Sequence, residues 1–184
     1  TDTVSIDADG MVTTGVVGGL FTDDDDDNVT ITGVEDGGVG QYGKLIIDGE
    51  GNFTYTVQNN GSDVLSFGPE QSDTFTVSGN DGYGGEADST LTINFDKHYQ
   101  IGTSGDDIIT AGKEGEILIG GDGNDSFVWN VSNLSDAADS IFGFDYTGDK
   151  DSGDKIVLEN VFAEGDDELG DLIGSIVEEG GLFS

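Results

Sequence analysis

Three consecutive nine-residue blocks, GTSGDDIIT (102–110), AGKEGEILI (111–119) and GGDGNDSFV (120–128), decide how this chain reads. Each carries an acid at its sixth position (Asp107, Glu116, Asp125) and an apolar residue at its eighth (Ile109, Leu118, Phe127). Glycine gives up more backbone freedom on folding than any other residue, and clustered carboxylates repel one another. Both features lie directly against an apolar, strand-like end, so something has to offset them. A divalent cation does so: glycine admits φ > 0 and lets backbone carbonyls come close, and carboxylates are the oxygen donors a hard cation takes.

The blocks resemble the G-G-x-G-x-D-x-U-x repeat of the calcium-binding β-rolls of RTX proteins. The resemblance implies that successive turns fall on opposite edges, so that a block's neighbour in space is two blocks on. The turns at 102–107 and 120–125 are then expected to stack and enclose one Ca²⁺ ion, with Gly102, Gly105, Asp107, Gly120, Asp122, Gly123 and Asp125 forming the site. The middle block departs from the pattern, with Glu114 where glycine is usual and Gly115 where Asn or Asp is usual. The following WNVSNL (129–134) offers no further glycine turn, which predicts a minimal roll capped by Trp129.

Composition fits this reading. The chain has 184 residues, with 39 Asp+Glu against 5 Lys+Arg and a formal net charge of -34. All the bases are lysines (Lys44, Lys97, Lys113, Lys150, Lys155). Nucleic acid is excluded as an expected partner, because phosphate contacts need clustered Lys and Arg, and an anionic membrane surface is excluded for the same reason. No apolar run approaches membrane-spanning length, so no membrane insertion is expected. Such acidity can mean disorder, but here the apolar residues are patterned and the aspartates come in short clusters broken by glycine. Cysteine is absent, which removes disulfides and thiolate metal sites.

Upstream, from Val4 to about Phe95, the texture is strand, turn, strand. Phe53, Tyr55 and Val57 alternate with Thr54 and Thr56, the period of a half-buried strand. Leu45 and Ile47, Phe75 and Val77, and Leu91, Ile93 and Phe95 repeat the alternation. Turn clusters separate them, among them DGEGN (48–52), NNGSD (59–63) and GNDGYGG (79–85). About seven short strands at this spacing predict an antiparallel β-sandwich of Ig type. The segment 43–95 resembles the VCBS repeat, a cadherin-like or Ig-like module of large bacterial surface proteins, on GEGNFTYT and SDTFTVSGNDGYGG. In TDDDDDN (22–28) the alternate carboxylates Asp23, Asp25 and Asp27 can converge on a cation, with Ca²⁺ the expected ion.

Downstream, DSIFGFDYTGDKDSGDKIVLENVF (139–162) resembles the segment that follows RTX repeats. SIFGFD and GDKIVL match its two strands, and Asp145 and Asp154 fall at acidic positions that often supply further calcium ligands. Leu169, Leu172, Ile173 and Ile176 have helix-like spacing. The resemblance implies that they lie within an uncleaved C-terminal signal read by a type I secretion exporter.

The expected fold is therefore all-β: an Ig/cadherin-like β-sandwich (1–97), a short calcium-bound parallel β-roll (98–130) and a small C-terminal cap with the secretion region (131–184). The resemblance implies a non-catalytic calcium-binding module of a secreted RTX adhesin or biofilm surface protein of a Gram-negative bacterium, neighbouring other adhesin domains or a surface ligand. Two alternatives are a self-assembling S-layer or matrix subunit and an accessory region of a secreted RTX enzyme. Against catalysis within the chain, it has one histidine, His98, and neither H-E-x-x-H nor G-x-S-x-G.

Overall fold

The computed structural model describes residues 2–6, 12–17, 19–21, 28–130, 132, 134, 137–148 and 152–160. Asp23, Asp25 and Asp27 and the segment 161–184 lie outside the described residues. Those described are all-β, with no α-helix.

Two sheets build the first half. One has the order β1-β8-β7-β3, from β1 (Asp2–Ile6), β3 (Thr30–Val34), β7 (Ser72–Asn80) and β8 (Glu86–Phe95). The other has the order β2-β5-β4, from β2 (Val12–Val16), β4 (Gly43–Ile47) and β5 (Asn52–Val57). Neighbours pair antiparallel except β1, which runs parallel to β8 from Asp2↔Leu91 to Ile6↔Phe95. The alternation read from the sequence is the inside–outside alternation of the strands. Phe53, Tyr55 and Val57 of β5 meet Phe75 and Val77 of β7 and Leu91, Ile93 and Phe95 of β8 in one buried cluster. This is an Ig-like sandwich, with one buried charged side chain among its described residues. Asp73 is buried and accepts hydrogen bonds from the Tyr55 hydroxyl (2.6 Å) and the backbone N–H groups of Gln41 and Tyr42. Burial, then the Asp73 bond, raises the Tyr55 phenol well above its usual range.

After Phe95 the pairing changes from antiparallel to parallel. Strands β9 (His98–Ile101), β11 (Glu116–Ile119) and β13 (Ser140–Phe142) pair in parallel in one sheet, and β10 (Ile108–Thr110), β12 (Ser126–Asn130) and β14 (Lys155–Glu159) in another. Consecutive strands thus alternate between two parallel sheets. His98 aligns with Glu116, and Ile108 with Ser126, the two-block offset read from the repeats. Ile109, Ala111, Leu118 and Phe127 form a second buried cluster, against which Trp129 packs. The parallel pairing runs on past residue 130 to β13 and β14. Longer connections than those between β9, β10, β11 and β12 lead into them, and the one into β14 carries Gly143, Gly148 and Gly153 at positive φ.

The two halves meet through a shared sheet. Strand β6 (Leu65–Phe67) pairs antiparallel with β9, so the first parallel sheet has the order β13-β11-β9-β6. Phe67 stacks on Tyr99, with centroids 4.9 Å apart and planes 9° from parallel. Tyr99, Ile101, Ile117 and Ile119 belong to the same buried cluster as the sandwich residues. The core is therefore continuous across residues 97 and 98.

Candidate metal centre

Asp107, Asp125 and Asp154 each stand immediately before a strand of one parallel sheet. The register stacks them one above another, and the stack is bonded through its carboxylates. Asp125 Oδ1 accepts the Asp107 backbone N–H at 2.9 Å, and Asp154 Oδ1 accepts the Asp125 N–H at 2.9 Å. A second, outer ladder lies one residue earlier. Asn124 N–H donates to Asp106 Oδ1 at 2.9 Å, and Gly153 N–H donates to Asn124 Oδ1 at 2.6 Å. On the opposite edge Asp139, before β13, accepts the Glu116 N–H at 2.9 Å and the Trp129 indole N–H at 2.7 Å.

One atom in the inner ladder is left over. Asp125 is 1% exposed, and its Oδ2 has no hydrogen-bond partner among the described residues. Burial raises the Asp125 carboxyl above the ordinary aspartate value of 3.8; Asp154, Asp107 and Asp106 push it the same way, while the Asp107 N–H opposes them. A desolvated carboxylate oxygen among like charges is strongly unfavourable unless a cation or proton answers it.

The backbone around it leaves room only for glycine. A Cβ on Gly120 would stand 2.1 Å from Asp125 Oδ2, and one on Gly102 would stand 2.1 Å from the Gly120 carbonyl oxygen. Gly121 has φ +100°, and a Cβ there would sit 1.9 Å from the Thr103 oxygen; one on Gly123 (φ +118°) would sit 2.6 Å from the Gly105 carbonyl carbon. The turns at 102–107 and 120–125 are thus in direct contact, with carbonyls and carboxylates between them.

Of the residues singled out in the sequence, Gly102, Gly105, Asp107, Gly120, Gly123 and Asp125 come together in this pair of turns. Asp122 is exposed at the bend of the second turn. Asp154 joins the inner ladder as its third rung. Asp145 contributes its backbone: its N–H donates to Asp154 Oδ2 and its carbonyl accepts the Asp154 N–H, both at 2.8 Å, while the residue itself is exposed. Among the described residues no group of three or more His, Cys, Asp or Glu has the placement of a ready cation cluster. Oxygen donors here are therefore two carboxylates, Asp107 and Asp125, with the carbonyls that the glycines admit. This set suits a flexible, oxygen-loving ion such as Ca²⁺ better than one that demands side-chain nitrogen.

The family model described as bacterial Ig domain matches residues 1–94. The chain belongs to that family. The match spans the two sheets of the sandwich and stops just before β9, so the Ig domain is the part to which the parallel strands are joined. A search of curated proteins gave no match.

Two residues that brace the stack were missed in the sequence. Asp139 ties the opposite edge as Asp125 Oδ1 ties this one, with its second oxygen taken by the Trp129 indole, and the signal was there: DSIF (139–142) repeats the acid–serine–apolar order of DSFV (125–128). Asn59, which reaches the first turn from the sandwich, carries no comparable signal, because its partners are distant in sequence.

Proposed function

We propose that this chain is a non-catalytic, calcium-binding module of a secreted RTX adhesin or biofilm surface protein, an Ig domain fused to a β-roll that folds on Ca²⁺ outside the cell after type I export. The observation that carries this reading is Asp125 Oδ2, a buried and unpartnered carboxylate oxygen between two glycine turns in contact. The residues fit the ion: Asp107 and Asp125 would hold it, and the carbonyls of the 102–107 and 120–125 turns would complete an oxygen shell. Membership of the bacterial Ig domain family fits a surface module.

A physical account follows from the charge. At a net charge of -34, the stacked aspartates repel in the absence of divalent ions, which keeps the roll open and passable through an exporter. Where calcium is plentiful, its binding free energy becomes folding free energy. Circular dichroism and calorimetric titration test this together: Ca²⁺ added after EDTA should raise the β-signal with saturable heat. An unchanged spectrum with no heat of binding would sink the reading.

A further inference from the structure

A stack of parallel turns has two open ends, and an uncovered end leaves backbone groups unpaired and core exposed. Here the first end is closed by the Ig sandwich. Strand β6 covers the edge of β9, with Leu65, Ser66 and Phe67 opposite Ile101, Gln100 and Tyr99. Val64 packs against the second buried cluster. The 59–63 loop covers the first glycine turn through one side chain. Asn59 Nδ2 lies 3.0 Å from the Ile101 carbonyl, 3.1 Å from the Gly102 carbonyl and 2.8 Å from that of Asp63.

The placement of Gly102 gives this contact its meaning. Within the stack, the Gly120 carbonyl points at Gly102, the equivalent residue one turn earlier. Among the described residues no earlier turn lies against the Gly102 carbonyl, which instead accepts a hydrogen bond from the Asn59 amide. Asn59 is itself fixed, since its Oδ1 accepts the Gly61 N–H at 2.8 Å. Gly102 also lies against Asp107, whose Oδ2 accepts the Thr103 N–H at 2.6 Å. Tilting the 101–102 peptides therefore moves the carboxylate of the candidate metal centre.

We infer that Asn59 is a positioning residue for that centre: the Ig sandwich serves as the cap of the parallel stack, and Asn59 sets the geometry of the first cation-binding turn from outside it. This inference rests on the calcium reading above. It makes the two halves reciprocal, because what the sandwich does for calcium affinity, calcium does for the sandwich.

The test uses the full chain, as wild type, Asn59→Ala and Asn60→Ala. Asn60 sits in the same loop, where its Oδ1 accepts the Gln58 amide at 3.1 Å, and it reports damage to the loop itself. Calcium affinity is read by calorimetry, and hydrogen exchange in EDTA reads the amides of β5, β7 and β8. Asn59→Ala should bind Ca²⁺ about tenfold more weakly, within the range usual for coupled sites. Sandwich protection in EDTA should be unchanged, and Asn60→Ala should match wild type. Equal affinity in wild type and Asn59→Ala overturns the inference while leaving the calcium reading standing. Loss of sandwich protection in Asn59→Ala also overturns it, since the residue would then hold up the sandwich. A wild type that takes up no calcium overturns both readings.

Discussion

A single aspartate concentrates the electrostatic problem of this chain. Asp125 uses Oδ1 to hold the turn before it and leaves Oδ2 buried without a partner among the described residues. Asp125→Asn keeps the acceptor and removes the charge. It should make the calcium-free roll more resistant to urea while weakening Ca²⁺ binding about ten- to hundred-fold, as read from Trp129 fluorescence and calorimetry. The pH dependence has a definite sign. Because the folded-state pKa is raised above 3.8, the native state holds its proton longer than the unfolded chain. Calcium-free stability should therefore fall as pH rises from that value through the raised one, and grow as pH is lowered. Asp48 and Asp81 behave oppositely. The Asn52 side chain chiefly lowers the first, and the Tyr83 N–H the second, so their contributions are present above 3.8 and fade in acid. An EDTA melt that weakens at the Trp129 probe on acidification would contradict the assignment at Asp125. The sequence pointed to Asp125 because its spacing repeats. Asn59 was invisible, since a lone Asn in a turn cluster looks the same whether it caps its own loop or a strand 42 residues away.

Among the elements, the paired glycine turns limit what the fold tolerates. Gly121→Ala places a methyl where the Thr103 oxygen stands, at a φ of +100°. The backbone term alone costs about 1–2 kcal/mol, and separating the turns adds to it. The variant should lower the urea midpoint at Trp129 and shift the calcium titration to higher concentration; wild-type behaviour in both would show that the turns need not touch. Strand existence was largely legible, because Phe53–Val57, Phe75–Val77 and Leu91–Phe95 alternate with the period of a half-buried strand. The two-block offset between Ile108 and Ser126 was legible from the repeat. The extent of the stack was less so: SIFGFD and GDKIVL read as strands, but no fixed period in the residues before them places β13 and β14 in the parallel sheets. Strand β6 was hidden for another reason. Its three residues, LSF, are too short for alternation to register, and their partner is β9 of the parallel region.

For the whole molecule, the consequence is a common core. Phe67 contacts Tyr42, Phe95 and Tyr99, so it belongs to the sandwich and the stack at once. Phe67→Ala should cost about 3–5 kcal/mol and lower the urea midpoint at Trp129 as well as the protection of β7 and β8. If only the sandwich amides respond, the halves are independent. The parallel pairing of β1 with β8 bears on how such a molecule carries load. Chain direction is the same in both strands over the five residues of β1, with Asp2 beside Leu91 and Ile6 beside Phe95. Tension applied between residue 2 and the stack pulls β1 backward by its first residue and β8 forward by its last. The hydrogen bonds between them are then strained together, in shear, instead of parting one by one from an end. Rupture under force is set by the unfolding barrier rather than by equilibrium stability, and a shear clamp raises that barrier for tension applied between residue 2 and the stack.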